Sequence, residues 1–248
     1  MSVEPPRRRP RELNITQLVP NLMTLGAICA GLTAIRFGYH GNFETAVLLI
    51  LVAAVLDALD GRIARFLKSD SEMGAELDSL ADFVNFGVAP ALLLYIWGLQ
   101  PLHGAGWIAA LIFSICCLIR LARFNVAAKN EEAVVDKRYF VGVPAPAGAL
   151  LVLLPMFAAF ASDGALRLPA LAMCFYMGLV GYLMISRIPT RSFKDQTVSR
   201  ENVKFLLLAI VFVAAAVFTY PWVTLVGLAL AYIGVVLVGI FGGRRPAK

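Results

Sequence analysis

Long apolar runs alternate along the chain with short stretches that contain Gly, Pro or charged residues. A helix needs about 20 mostly apolar residues to cross a bilayer, so each run is long enough for one crossing. Pro144 and Pro146 predict a bend or break at the start of the fifth run. We therefore expect an all-α, polytopic membrane protein with about eight transmembrane helices. The predicted spans are residues 18–37, 43–67, 73–98, 105–125, 143–161, 168–186, 203–219 and 222–241.

The composition excludes a water-soluble fold. Hydrophobic residues make up 60% of the 248 positions and charged residues 15%, whereas soluble domains average about 45–50% and about 25%. Eight spans leave no room for a large soluble domain. We expect a basic N-terminal segment (1–17), one membrane domain (18–241) and a short tail (242–248). No apolar core with a cleavage site follows the basic start directly, so the first span is expected to be retained.

The distribution of basic residues predicts the orientation in the membrane. Of the 22 Lys and Arg residues, all except Arg36 and Arg167 fall at the termini or in the even-numbered loops. Cytoplasmic loops attract Lys and Arg, so we expect an inner-membrane protein with both termini and the even-numbered loops in the cytoplasm. The net charge of +6 follows from this topology. No motif indicates a nucleic-acid partner.

Four aspartates lie where the second and third spans face each other, at Asp57, Asp60, Asp78 and Asp82. At about 100° per residue, the two on each helix fall on or beside one stripe. The short link between the spans makes the helices antiparallel neighbours, so the four carboxylates can converge just below the membrane surface. Small residues on the same stripes, which are Gly61, Ala64 and Gly74, allow a backbone or a ligand to approach closely.

Such a cluster is expected to bind cations. A charge within a membrane costs at least about 2.5–3.5 kcal/mol at the helix centre, and four like charges also repel one another. Oxygen ligands without His or Cys favour Mg²⁺ or Mn²⁺, which keep positions for a substrate phosphate. Two ions would balance the four carboxylates, an arrangement used in displacements at phosphorus. The alternative is that the aspartates form helix-end ion pairs with Arg62, Arg65 or Lys68.

The spacing D-x-x-D-G-x-x-A-R-x8-G-x-x-x-D-x-x-x-D, present here at every fixed position, resembles the signature of the CDP-alcohol phosphatidyltransferases. Other segments resemble the bacterial integral-membrane branch of that family that uses serine, although Asn85 stands where a serine is expected. These segments are Pro20-Asn21 with Thr24, 78–90, 120–125, 140–146 and 188–194. The resemblance implies transfer of a phosphatidyl group from CDP-diacylglycerol to L-serine, release of CMP, contact with membrane lipids and a homodimer.

The resemblance also implies roles for individual residues. Asp57, Asp60 and Asp78 would bind the metal that holds the CDP pyrophosphate. Asp78 and Asp82 would face a second metal, and Asp82 would be the catalytic base that deprotonates the acceptor. The implied nucleotide contacts are Asp57, Gly61, Ala64, Arg65 and Gly74. The candidates for the acceptor carboxylate or the lipid phosphate are Arg120, Arg123, Arg191 and Lys194. Each of these four could instead serve only as a positive-inside anchor.

Two alternative functions remain open at this point. The acceptor could be glycerol phosphate, inositol phosphate or choline instead of serine. A cation or metabolite transporter would also place carboxylates inside a membrane. Transporters, however, are typically built from repeated halves with sites near the bilayer midplane. Here the aspartates lie near the membrane surface on one hairpin, and the second half of the chain has no counterpart.

Overall fold

The computed structural model describes residues 15–67, 71–129, 139–186, 189–191 and 203–241. Each of the eight predicted spans is helical there, so the all-α prediction is confirmed. Most of the two predicted terminal segments, 1–14 and 242–248, lies outside the described residues. The α-helices are α1 (Ile15–Tyr39), α2 (Phe43–Leu67), α3 (Glu72–Asp82), α4 (Ala89–Leu94), α5 (Gly104–Lys129), α6 (Ala145–Val152), α7 (Leu154–Ala161), α8 (Ala170–Ile185), α9 (Val203–Thr219) and α10 (Pro221–Phe241).

Several helices are long and apolar enough to cross a membrane. Within the described residues these are Leu18–Tyr39, Glu72–Leu102, Gly104–Ala127 and Pro221–Gly239, and Ala170–Ile185 is a shorter apolar helix. Their outward faces carry large apolar side chains, such as Phe175, Phe212 and Phe218, which are 72–90% exposed. Exposed apolar surface on this scale is unfavourable in water and suits a lipid environment. The chain is therefore a multi-pass membrane protein.

The first two helices form a hairpin. Gly41 supplies a positive φ of 79° in the turn, and the Asn42 side chain accepts a hydrogen bond from the Thr45 N–H at 3.3 Å to start α2. α1 also crosses the third span, where Gly31 lies so close to Asn85 that a β-carbon on the glycine would collide with the amide. In this hairpin the first half of α1 lies beside the end of α2 that carries Asp57 and Asp60.

The third span is longer and less regular than predicted. It runs from α3 through a π-helical segment (Phe83–Val88), α4, a second π-helical segment (Tyr95–Leu99) and a 3₁₀ turn (Gln100–Leu102). Pro90 lacks an N–H group and its ring would clash with the carbonyl one turn earlier in a regular helix. The wider π turn just before it relieves that clash. The predicted span over 73–98 is therefore present, but it contains irregular segments that the apolar pattern does not indicate, and the first of them begins directly after Asp82.

The fifth span is broken near its middle and not at its start. Pro144 is the N-terminal cap of α6, so the two prolines that predicted a bend there only begin the helix. The break lies at Leu153, between α6 and α7, because Pro155 cannot donate a hydrogen bond to the carbonyl of Leu151. The hydroxyl of Tyr176 on α8 donates to that carbonyl at 2.7 Å instead.

A short β-ribbon joins the segments that follow α5 and α8. Its strands, β1 (Tyr139–Val141) and β2 (Pro189–Arg191), pair antiparallel with Tyr139 opposite Arg191. The sequence pattern does not predict this ribbon, since three-residue strands are too short to show an alternating pattern. β2 also packs near α10, so the last helix lies beside this ribbon.

Candidate active site

The four aspartates come together between α2 and α3, as their spacing predicts. Single carboxylate oxygens of Asp57, Asp60 and Asp78 all lie within 4.8 Å of one another. The side chain of Asp82 is in contact with that of Asp57. α3 begins at Ser71, whose hydroxyl accepts a hydrogen bond from the Gly74 N–H at 3.0 Å. That cap fixes where α3 begins, and Asp78 and Asp82 follow about one and two turns after Gly74.

Several carboxylate oxygens have no hydrogen-bond partner. Among the described residues, Asp57, Asp60 and Asp82 each have one buried carboxylate oxygen without a hydrogen-bond partner. The second oxygen of Asp60 accepts a hydrogen bond from the Thr24 hydroxyl at 2.6 Å. Burying an unpaired carboxylate oxygen is costly unless a cation compensates it. The oxygen-only donor set and its unpaired oxygens therefore fit a divalent metal ion such as Mg²⁺.

Arg62 and Arg65 do not form the alternative ion pairs with the four described aspartates. Arg65 Nε donates to the carbonyl of Gly61 on its own helix at 2.9 Å. Both arginines are exposed, and in the described part of the chain neither forms an ion pair with an aspartate. Lys68 lies outside the described residues. The unpaired oxygens of the cluster therefore remain free for a cation.

An open cleft of about 530 Å³ adjoins the aspartates, between α1, α2 and the start of α3. It contains three of the predicted nucleotide positions, Gly61, Ala64 and Gly74, together with two of the aspartates. Asp57 and Arg65, also predicted to meet the nucleotide, are not among its lining residues. The complete lining is Pro20, Asn21, Thr24, Asp60, Gly61, Ala64, Ser71, Gly74, Ala75 and Asp78.

The first helix contributes residues to which the sequence analysis assigns no role. Asn21 and Thr24 line the cleft, and the Thr24 hydroxyl orients Asp60 through its 2.6 Å hydrogen bond. A charge-assisted bond of this kind is among the stronger ones in proteins. The available signal was the presence of Asn21 and Thr24 in the first half of the apolar run, within a segment that the family resemblance includes. Spacing within one helix, however, does not reveal which neighbouring helix a polar residue meets.

Of the basic candidates, Arg120 is the buried one that interacts electrostatically with an aspartate of the cluster. Its side chain is only 8% exposed, and its guanidinium is close enough to Asp82 to interact electrostatically. Arg123 instead donates to the carbonyl of Ile185 at 2.7 Å, which ties α5 to the end of α8. Arg191 belongs to β2, where its backbone alone is described, and Lys194 lies outside the described residues.

A substitution at Gly61 separates folding from ligand binding. A β-carbon at this position would meet no protein atom within 4 Å, so Gly61→Ala should leave the free protein folded. The resemblance of the motif implies a nucleotide in that space, so we expect Gly61→Ala to raise the KM for the nucleotide substrate by about tenfold, the cost of a methyl-sized clash. The matched control is Gly227→Ala, which also has open space around it and should change neither KM nor thermal stability. Equal KM values for the two variants would contradict the placement of the nucleotide.

Comparison with known proteins identifies the family of this chain. The model of the CDP-alcohol phosphatidyltransferase family matches residues 17–188, which include all four aspartates. The chain belongs to this family. Three relatives each bear the name CDP-diacylglycerol–serine O-phosphatidyltransferase.

These relatives cover most of the chain. The protein of Mycobacterium leprae (strain TN) is 38% identical over 92% of this chain and 75% of its own length. That of Helicobacter pylori (strain ATCC 700392 / 26695) is 34% identical over 89% of this chain and 91% of its own. That of Bacillus subtilis (strain 168) is 40% identical over 75% of this chain and 96% of its own.

Proposed function

We propose that this chain transfers the phosphatidyl group of CDP-diacylglycerol to the hydroxyl of L-serine, forming phosphatidylserine and CMP. The observation that carries the proposal is the convergence of four aspartates within the segment that the family model matches. The choice of serine is supported by relatives that bear the name of the serine enzyme and match 89–92% of this chain. No observation in the described residues favours a transporter or another acceptor.

The aspartates are proposed to hold two divalent cations, Mg²⁺ or Mn²⁺. Asp57, Asp60 and Asp78 would bind the first ion, and Asp78 and Asp82 the second. When bound, such ions neutralise and polarise a pyrophosphate. Gly61, Ala64 and Gly74 present no large side chain to the cleft, which leaves room for cytidine and its ribose. Arg65, at the end of α2, is a further proposed nucleotide contact.

Asp82 is the proposed general base. A serine hydroxyl is a weak nucleophile near pH 7, and a positioned carboxylate can accept its proton during attack. The new bond forms between the serine oxygen and the phosphorus of the phosphatidyl group. The bond from that phosphorus to the bridging oxygen breaks, and CMP leaves with the electron pair. Asp82 retains the proton until product release.

The basic residues would bind the anionic parts of the two substrates. Arg120 lies on the Asp82 side of the cluster and is proposed to attract the acceptor carboxylate. Arg191 and Lys194 are proposed for the lipid phosphate. The hydrogen bond of Arg123 to Ile185 supports an anchoring role for that residue.

An assay of the purified protein tests the proposed reaction. CDP-diacylglycerol is supplied in parallel reactions with L-serine, glycerol phosphate, inositol phosphate or choline. CMP release is measured, and the lipid product is identified by mass spectrometry. We expect CMP release and phosphatidylserine with serine alone. Equal or faster CMP release with another alcohol would reassign the acceptor, and the absence of CMP with every alcohol would refute phosphatidyl transfer.

We also propose that residues 18–241 form one domain in the inner membrane, with the termini and the aspartates on the cytoplasmic side. The support is the asymmetry of basic residues. In a variant without native cysteines, a membrane-impermeant thiol reagent applied from the periplasm should label His40→Cys and Ala165→Cys, and spare Asn130→Cys. The opposite pattern would invert the orientation.

Family resemblance further supports a homodimer. The mass of the purified protein in native mass spectrometry should then equal that of two chains.

A further inference from the structure

The last helix, which lies outside the segment that matches the family model, carries a buried polar side chain on its inward face. That side chain is Tyr232 on α10, whereas the family match ends at residue 188. The Tyr232 hydroxyl is buried and has no hydrogen-bond partner among the described residues. Its electrostatic neighbour is Arg120 on α5. A buried phenol normally finds a partner, so this arrangement calls for an explanation.

The packing of α10 fixes where Tyr232 lies. Trp222, at the start of α10, packs edge-on against Phe160 of α7 with ring centroids 4.9 Å apart. Further along, Ala229 and Val236 are buried, and Tyr232 lies between them at helical spacing, so it belongs to the inward face. The body of its ring packs against the hydrophobic core. The hydroxyl is therefore held inside the bundle and not at the lipid surface.

Three side chains that interact electrostatically each carry a buried, unpaired polar atom. These atoms are Nε of Arg120, the hydroxyl of Tyr232 and one carboxylate oxygen of Asp82, all buried without a hydrogen-bond partner in the described part of the chain. Arg120 interacts electrostatically with both of the others. Two of these groups are hydrogen-bond donors and one is an acceptor. A ligand that satisfies all three must present an anionic group to the donors and a proton donor to Asp82.

We infer that Arg120 and Tyr232 form the subsite for the carboxylate of the acceptor amino acid. The guanidinium N–H and the phenol O–H donate to the two carboxylate oxygens, which leaves the acceptor hydroxyl next to Asp82. The inference rests on the proposed function and adds the group that recognises the acceptor. An alcohol without a carboxylate would leave both donors unpaired in a buried site, and this is the kind of defect that produces strong discrimination between substrates.

The decisive variant is Tyr232→Phe, which removes only the hydroxyl. With the purified full chain, we expect the KM for L-serine to rise by about tenfold or more, the usual effect of losing a hydrogen bond to a charged group. The KM for CDP-diacylglycerol should stay within about twofold. Arg120→Gln should raise the KM for serine further, and Arg120→Lys should restore part of it. The matched control is Tyr220→Phe, at a position 68% exposed, which should match the unmodified protein.

A second acceptor distinguishes recognition of the carboxylate from a structural role. Ethanolamine has the hydroxyl and the amine of serine but no carboxylate. We expect the ratio of kcat/KM for serine to that for ethanolamine to fall at least about tenfold in Tyr232→Phe. An unchanged ratio, whether from equal losses with both acceptors or from no loss, would overturn the subsite while the proposed function stands. If the unmodified chain makes no phosphatidylserine, the proposed function and this inference both fail.

Discussion

Replacing Asp82 by asparagine is expected to lower the rate of CMP release by about 10²–10⁴-fold, the usual effect of removing a general base. Most of the binding of CDP-diacylglycerol should survive. Asparagine keeps the size of the side chain, but its amide cannot accept a proton from an alcohol near neutral pH. Loss of a ligand for the second cation would deepen the defect. The two quantities are measured by a binding titration with CDP-diacylglycerol and by CMP release with L-serine.

Asp57→Asn provides the contrast. Asp57, Asp60 and Asp78 each have a carboxylate oxygen within 4.8 Å of the other two. Loss of the Asp57 carboxylate should therefore weaken binding of the CDP-lipid as well as transfer. The control is Asp163→Asn, in the exposed loop between α7 and α8. This variant should behave like the unmodified chain. If Asp82→Asn abolishes lipid binding as thoroughly as Asp57→Asn does, the four aspartates form one undivided cage and Asp82 is not a separate base.

Excess chelator is expected to abolish phosphatidyl transfer completely, and Mg²⁺ or Mn²⁺ added in excess should restore it. Without a cation, the buried oxygens of Asp57, Asp60 and Asp82 have no compensating charge and would repel an incoming pyrophosphate. A ligand that binds only the folded state also stabilises it. The chelated protein should therefore unfold at a lower temperature, and the metal should reverse this shift.

Variants at the cluster provide the control for this measurement. In Asp57→Asn, added Mg²⁺ should raise the unfolding temperature less than it does in the unmodified chain, while Asp163→Asn should show the full increase. Full transfer activity in excess chelator would rule out the metal site. An equal thermal shift in Asp57→Asn and in the unmodified chain would show that the ion binds elsewhere.

The aspartate cluster was predictable because its geometry is local. Asp57 and Asp60 lie on one helix, Asp78 and Asp82 on the next, and a helix repeats about every 3.6 residues. The link between α2 and α3 is too short for any arrangement except antiparallel neighbours. Spacing along the chain therefore determined which side chains face each other. The spans themselves were predictable for a similar reason, since the length of an apolar run measures its ability to cross a bilayer.

Irregularities within the spans depended on more than the apolar pattern. Pro90 and Pro155 are visible in the sequence, but a proline alone does not say whether a helix widens or breaks. In the third span a π-helical segment absorbs the missing hydrogen bond, whereas in the fifth the chain divides and the Tyr176 hydroxyl satisfies the freed carbonyl of Leu151. The outcome depends on which side chain of a neighbouring helix can reach the site.

The sequence by itself determined the membrane class, the positions of the spans and the four aspartates of the site. Only the tertiary structure decided that Thr24 meets Asp60 and that Arg123 binds the end of α8. It also decided that Arg120 interacts electrostatically with Asp82 and with Tyr232. Helices in lipid associate through close packing and scattered polar contacts, without a hydrophobic driving force between them. An almost uniformly apolar helix therefore carries little sequence signal for its rotation or its neighbours, and these are settled when the whole bundle packs.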